Sequence, residues 1–286
     1  MIAILMSAYN GAAYIREQIE SLLAQTCQDF VVYIRVDGSA DGTTEIVDEY
    51  ASKYPDKIKH VDAGGENLGC GQSFMWLLEY VVADYYMYCD QDDVWLPTKV
   101  EETLAKMKEH DETGHKDVPC VVFTDAIIVD GEMNLMYESL WKSNHRNPED
   151  AKDVYRYAVY RQAALGCTMM FNNKARLLSI ETKRIPDRGG QHDRMVVYLC
   201  AKLGEVDYVN KPLIRYRQHG SNVTSYLSRA KTRGWIIKNL ICSPHDRIIG
   251  MKKRYGRMKY LPFKVSYIKL FFTICKKWLF VNKWNK

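Results

Sequence analysis

Over its first 120 residues the chain alternates short apolar runs with helix-period segments. That alternation confines it to βαβ units around a largely parallel sheet, an α/β class. Residues 2–6 read as a buried strand, 14–25 as a helix with Ile15, Ile19, Leu22 and Leu23 on one face, and 30–36 as a second strand. A turn over 37–43 leads into a helix over 44–53, and 58–61 gives a third strand. A glycine-rich loop at 64–69, a helix over 72–82 and a strand over 85–89 follow. Beyond these, 121–129 and the shorter 206–209 are expected strands, 165–171 a buried strand or loop, and 194–203 a helix.

The fourth apolar run ends in Asp90-Gln91-Asp92-Asp93-Val94-Trp95, three carboxylates in four residues. Such a strand end gathers negative charge at one sheet edge, where oxygen ligands suit a hard divalent cation such as Mg²⁺ or Mn²⁺. The plainer alternative is a solvated acidic turn opening the next helix, since Asp caps helices and Pro97 suits a first turn. In open α/β sheets ligands bind beyond the carboxyl ends of the strands. The segments 7–9, 37–41 and 90–93 all occupy that position, so they converge on one crevice. The G-x-x-x-x-G-K-[ST] loop is absent, and 69–74 lacks the third glycine of a dinucleotide fingerprint.

The net charge of +5 conceals an asymmetry. Residues 229–286 hold 16 of the 40 Lys and Arg and only Asp246 of the 35 acidic residues, a net +15, which leaves −10 on the first 228. Within that basic stretch Ile268, Phe271, Phe272, Cys275, Trp278 and Leu279 recur at helical spacing, with Lys269, Lys276, Lys277 and Lys283 toward another face. Lysines interrupt the apolar run well short of the roughly 20 residues a spanning helix needs, so the segment is expected to lie in a membrane interface. Packing against the acidic body, or a dimer contact, is the competing use of such a face. The partition is a catalytic domain over 1–225 and a basic amphipathic helical tail over 226–286. The N-terminus lacks a basic leader, so a cytoplasmic protein is expected. Eight scattered cysteines without a C-x-x-C pair point to reduced thiols.

Taken in order, Ser7-Ala8-Tyr9-Asn10-Gly11, Asp37-Gly38-Ser39-x-Asp41-Gly42-Thr43, Asn67-Leu68-Gly69, the Asp90–Trp95 motif, His192-Asp193 and Arg217-Gln218-His219-Gly220-Ser221-Asn222 resemble the inverting family 2 glycosyltransferases of GT-A fold. The Asp-Gln-Asp-Asp-Val-Trp and Gln-His-Gly-Ser-Asn forms look most like bacterial rhamnosyltransferases of polysaccharide assembly. The resemblance implies a nucleotide-diphosphate donor bound by Ser7, Tyr9, Asp37, Asn67, Gly69 and Asp90, with Asp37 accepting a pyrimidine N–H. It departs from the usual Asp-Asp-Gly-Ser in having Val36 before Asp37. It implies a metal held by Asp92 with His219, and Asp193 as the general base that deprotonates the acceptor hydroxyl. Asp93, Trp95, Gly166 and His192 take acceptor or supporting roles; Trp95 and Trp141 are candidates to stack on a sugar, although core aromatics are commoner. Turn chemistry at Asp37 and Asp41, and helix capping by Asp193, are the structural alternatives.

The function so implied is transfer of a sugar to a lipid-linked or growing cell-surface glycan at an anionic inner membrane face. Rhamnose from dTDP-rhamnose is the first donor, and a UDP-hexose or UDP-N-acetylhexosamine the second. A non-catalytic nucleotide- or nucleic-acid-binding protein with a basic tail is the alternative from another class. No Q-x-x-R-W motif is present, which argues against a processive synthase.

Overall fold

A computed structural model describes residues 1–61, 64–115, 117–159, 162–182, 192–220, 264 and 266–281. Strands β1 (Ile2–Ala8), β2 (Phe30–Val36), β3 (Ile58–His60) and β4 (Tyr85–Asp90) run parallel in the order β3-β2-β1-β4. Helices α1 (Ile15–Leu23), α2 (Thr43–Lys53) and α3 (Cys70–Tyr80) make the crossovers. β1 is apolar on both faces because helices cover both sides of a parallel sheet, and Ile2 to Met6 are at most 1% exposed.

Beyond β4 the sheet becomes mixed. Strand β8 (Met169–Asn172) lies antiparallel between β4 and the long β6 (Cys120–Asp130), and β9 (Glu205–Gln218) runs parallel to β6. The two-residue β5 (Val94–Trp95) closes the far edge on β9, and β7 (Leu135–Tyr137) pairs with β6. Since β8 opposes both neighbours, β6 and β9 point the same way as β4. The carboxyl ends of β1, β2, β4, β6 and β9 therefore share one edge, and the chain loops gather there. Helices α4 (Lys99–His110), α5 (Leu140–Ser143), α6 (Val154–Val159), α7 (Asn173–Glu181) and α8 (His192–Leu203) complete the body.

The expected βαβ half agrees with the structure to within two residues at most element ends. The second half departs further. The short strand expected at 206–209 extends to Gln218, because β6 offers it a partner along its whole length. Strands β5 and β7 and helix α7 were not expected.

Helix α9 (Tyr267–Val281) is the described part of the tail. Its Leu270, fully buried, and Ile274 pack with Val154, Met195 and Leu199 of α6 and α8. Residues 226–263 and 282–286 lie outside the described residues, so the domain boundary at 225 does too.

The turn from α8 into β9 is tight. A Cβ on Gly204 would stand 1.9 Å from the Pro119 carbonyl oxygen. Because that obstacle is backbone, Gly204→Ala is expected to cost about 1–3 kcal/mol and to lower the thermal midpoint by several degrees. An unchanged midpoint in a calorimetric scan would show that the turn relaxes freely.

Candidate active site

Three loops at the common edge are stitched to one another. The Gln91 side chain brackets Tyr9, accepting from its N–H at 2.8 Å and donating to its carbonyl at 2.9 Å. The loop after β1 is tied to the loop after β2 by Asn10 N–H to Ser39 Oγ, Gly11 N–H to Thr43 Oγ1 and Ala12 N–H to Asp41. Asp41 also accepts from the Thr43 amide at 3.2 Å. Burial pulls its pKa upward, but these bonds outweigh burial and leave the carboxyl below its usual range. The turn role for Asp41 is thus the one the structure carries.

Asp37 departs from expectation. It is 1% exposed, paired with the buried guanidinium of Arg35, and accepts from Leu68 N–H at 2.7 Å and Gly69 N–H at 2.8 Å. Arg35 continues to Ser73 Oγ and the Glu66 carbonyl. The carboxylate that was expected to read a pyrimidine N–H is instead enclosed, and it clamps the Asn67–Gly69 loop. Gly69 suits that clamp, since its φ of +76° is in the left-handed region. The Asn67 side chain also accepts from Gly69 N–H, at 3.1 Å. Ser7 pairs in register with both Arg35 and Asp90 at the strand ends, and Tyr9 leaves half its surface exposed toward the crevice.

The acidic turn is held from three sides. Asp93, with no exposed surface, accepts from Arg217 N–H at 3.0 Å and has the Cys167 thiol beside its side chain. The Arg217 guanidinium donates to the carbonyls of Asp92 (2.7 Å) and Gly131 (2.9 Å), pairs with Glu17, and lies 4.8 Å from the Tyr14 ring. His219 Nε2 stands 2.7 Å from Asp92 Oδ2, and its ring packs on Tyr14. Burial, then the charge of Asp92, raises Asp90 to about 7. Burial with the neighbouring carboxylates also drives Asp93 well above its ordinary range.

Asp90, Asp93 and Cys167 can bring one ligand atom each within 4.8 Å of one another. Cys167 belongs to the turn Gly166–Thr168 and is a site residue that sequence reasoning passed over as one of eight scattered thiols. Lys99 is another. It is fully buried, with its ammonium 3.7 Å from the centre of the Trp95 ring, and burial lowers it to about 8. Trp95 itself is 2% exposed. It cannot stack on a sugar, and its ring serves Lys99. Trp141, 5% exposed and bonded through its indole N–H to the Ala163 carbonyl, is likewise no open platform.

Asp193 opens α8 opposite the acidic turn, and its charge is among those that raise Asp90. The absence of a side chain on Gly166 lets it approach: a Cβ there would meet Asp193 Cβ and His192 Nε2 at 3.4 Å each. His192 is set between Phe74 (ring centres 4.4 Å) and Tyr88 (4.7 Å), which fixes the start of α8. Asp193 also accepts from Arg194 N–H. Ser221 and Asn222 lie outside the described residues. For a divalent cation the turn offers two adjacent groups, Asp90 and Asp93 with Cys167 beside them and Asp92 with the His219 imidazole, and their carboxylate oxygens are chemically suitable donors.

A parallel half ending in an Asp-x-Asp turn, joined to a mixed half that returns a histidine to it, is the GT-A glycosyltransferase architecture. Solved structures share it. Staphylococcus aureus TarS 1–349 in complex with UDP-GlcNAc superposes with a TM-score of 0.60 at 16% identity, covering 96% of this chain and 70% of that one. The mannosyltransferase PcManGT from Pyrobaculum calidifontis, in complex with GDP-Man and Mn²⁺, gives 0.54 at 12% identity, covering 97% and 80%.

The family model for glycosyl transferase family 2 matches residues 3–171, and the chain belongs to that family. An uncharacterized glycosyltransferase of Rickettsia typhi is 27% identical over 229 residues, covering 79% of this chain and 66% of that protein. The dTDP-rhamnosyl transferase RfbG of Shigella flexneri is 26% identical over 226 residues, 76% of this chain and 72% of that protein. The chain thus spans slightly under two thirds of the length of the Rickettsia relative.

The Arg35–Asp37 pair separates a structural from a binding role. Asp37→Ala leaves a buried guanidinium without its counter-charge and is expected to cost about 3–5 kcal/mol, whereas the double change Arg35→Met with Asp37→Leu should recover most of it. Urea denaturation of both variants checks this, and equal losses in the two would show that the pair is not what holds the loop.

Proposed function

We propose that this chain transfers a sugar, with inversion, from a nucleotide-diphosphate donor to a glycan or lipid-linked acceptor. The observation that carries the reading is the meeting, at one sheet edge, of the Asp90–Asp93 turn and His219 with Asp193 at the opposing helix start. The acceptor hydroxyl attacks the anomeric carbon and its proton passes to the Asp193 carboxylate. The bond from that carbon to the diphosphate oxygen breaks, and its electron pair stays on the phosphate. Asp92 with His219, supported by Asp90 and Asp93, would hold a divalent cation, and that ion would supply charge stabilisation to the departing diphosphate.

The remaining residues bind and orient. The exposed Tyr9 ring offers a stacking surface for the base, Ser7 and Asp90 border the ribose side, and the Asn67–Gly69 loop closes over it. Asp37 acts from behind by fixing that loop. Gly166 and His192 position Asp193, and Trp95 supports the acidic turn through Lys99. The likeness to a dTDP-rhamnosyl transferase supports dTDP-rhamnose as first donor. A UDP-sugar is second, since TarS, of the same fold, carries UDP-GlcNAc.

Nucleotide release from a panel of dTDP- and UDP-sugars, with Mn²⁺ or Mg²⁺, tests the assignment. One donor should be hydrolysed slowly in a metal-dependent way that Asp92→Ala abolishes. With acceptor present, Asp193→Asn should lower kcat by about 10²–10⁴-fold, the usual contribution of a positioned base, and leave donor affinity unchanged. If no donor is hydrolysed and neither UDP nor dTDP raises the thermal midpoint, the assignment fails.

Placement against an anionic membrane at the cytoplasmic face rests on α9. Leu270 turns toward the body while Ile268, Phe271 and Phe272 remain 67%, 46% and 59% exposed, beside the exposed Lys269 and Lys276. Among the described residues no helix is long and apolar enough to cross a membrane. Co-sedimentation should be strong with vesicles containing phosphatidylglycerol and weak with phosphatidylcholine alone. Replacing Phe271 and Phe272 by Ser should weaken it more than about tenfold, since burying each ring contributes roughly 1.5–3 kcal/mol. Binding indifferent to the two rings would assign that face to another partner.

A further inference from the structure

Between α5 with the segment after it and β9, the surface opens into a pocket of about 530 Å³, whose lining includes Trp141, Lys142, His145, Arg146, Tyr208 and Asn210. It is not the donor crevice. On β6, Tyr208 pairs with Phe123 and Gln218 with Asp130. Those positions are seven residues apart, on the order of 23 Å at the rise of a strand.

The wall of this pocket is built, not loose. The buried Asp125 carboxylate accepts from Trp141 N–H at 3.0 Å and from the Ser139 hydroxyl, pinning the start of the segment to β6. The Trp141 indole N–H donates to the Ala163 carbonyl at 3.1 Å, and the Arg146 guanidinium donates to the Gln162 carbonyl. Arg146 N–H closes the loop on the Trp141 carbonyl at 2.8 Å. His145 stands at a φ of +51°. A side chain other than glycine keeps that backbone only where its surroundings over-determine it, and such positions cluster at ligand sites.

The chemistry of the lining is cationic and amphipathic. Lys142, His145 and Arg146 supply three basic groups, Trp141 and Tyr208 supply ring edges, and Asn210 an amide. Neighbouring acids have partners of their own: Asp125 holds Trp141 N–H and the Ser139 hydroxyl, Glu149 pairs with Lys152 and the Tyr208 hydroxyl, Asp150 with Arg156 at 2.6 Å, and Asp207 with Lys106 and Lys152. A few convergent polar groups beside the half-buried Tyr208 ring suit a ligand that is part apolar ring and part anion.

The pocket also leads to the candidate base. Its bonded carbonyls, Gln162 and Ala163, precede Gly166 by at most four residues, a chain length of no more than about 14 Å. Gly166 is the residue against which Asp193 packs. The same strap that anchors the pocket therefore ends at the acceptor side of the site.

We propose that this pocket is an acceptor subsite for an anionic saccharide, gripping a carboxylated or phosphorylated unit of an oligosaccharide while a hydroxyl farther along the same chain reaches Asp193. The inference rests on the transferase reading. Calorimetric titration of the full chain with hyaluronan tetrasaccharide, glucose 6-phosphate and the neutral maltotetraose tests it, against the double variant Lys142→Glu with His145→Glu, both exposed positions.

At least one anionic saccharide should bind and should weaken as salt is added. Its affinity should fall at least about tenfold in the double variant, or about 1.4 kcal/mol. Maltotetraose should bind far more weakly, and stabilisation by UDP or dTDP should be the same in both proteins. Which anionic probe binds names the anion. The proposal is overturned if neither binds, if the double variant binds equally well, or if Asp92→Ala removes binding, which would place the ligand in the donor crevice. Equal, variant-sensitive binding of a single-stranded oligonucleotide would overturn it too, by making a phosphate backbone the occupant. Metal-dependent donor hydrolysis without anionic saccharide binding would sink this subsite alone and leave the transferase assignment standing.

Discussion

Three carboxylates within four residues repel one another, and at the end of a buried strand they have little water to screen them. The turn can exist only if the rest of the fold supplies compensation, and Arg217 is where it does so. Its guanidinium, 3% exposed, fastens the Asp92 carbonyl, the β6–β7 turn and Glu17 of α1, while its own N–H holds Asp93. A planar guanidinium with five donors can join this many acceptors in fixed directions, and an ammonium could not. The next residue but one is His219, on Asp92. Strand β9 thus delivers a counter-charge and a candidate ligand to the same turn. Its length follows from this double delivery, because a strand ending at 209 would stop far short of the acidic edge.

Lys99 makes the same point from below. Burying an ammonium without a hydrogen bond is costly, and the Trp95 ring face offsets part of that cost. With burial holding Asp90 and Asp93 toward their neutral forms, the turn is an acid-rich site with Lys99 and Arg217 as buried cations beside it. An incoming divalent ion and a diphosphate together bring charges of both signs to it.

The parallel half was legible because its signal is local. Each strand is a continuous apolar run, each helix has a 3.6-residue period, and the polar clusters fall at the strand ends. What the sequence could not disclose depends on contacts far apart in the chain. Lys99 sits in a helix with Glu101 and Glu102, like any surface lysine, and its burial depends on elements distant in sequence, with the Trp95 ring and Cys167 among its neighbours. Arg35 occupies an outward-looking position of its strand and becomes core only because Asp37 folds back onto it. Asp37, expected to face a pyrimidine, is enclosed by the same contacts. Val36 in place of a second carboxylate was the visible signal, since it left one carboxylate facing a buried arginine. In β9, the Asn210-Lys211-Pro212 interruption read as a strand end, and the register shift on β6 near Asp125 absorbs it.

The two halves also divide the chemistry unequally. The family match covers 3–171, which contains the stitched loops, the acidic turn and Cys167. Asp193, Arg217 and His219 all lie beyond it, on elements whose packing is specific to this chain's second half. On the transferase reading a donor would meet mainly the parallel strands, whose ends are fixed by backbone register and by the Gln91 and Asp37 clamps. On the same reading an acceptor would meet irregular turns hung on side-chain bonds, from Asp125 through Trp141 and the 162–166 strap to Gly166. Loops held in this way can exchange their exposed residues without disturbing the sheet. If the proposed subsite holds, the basic rim at Lys142 and His145 lies on such exposed loop positions, away from the strand ends that would bind the donor.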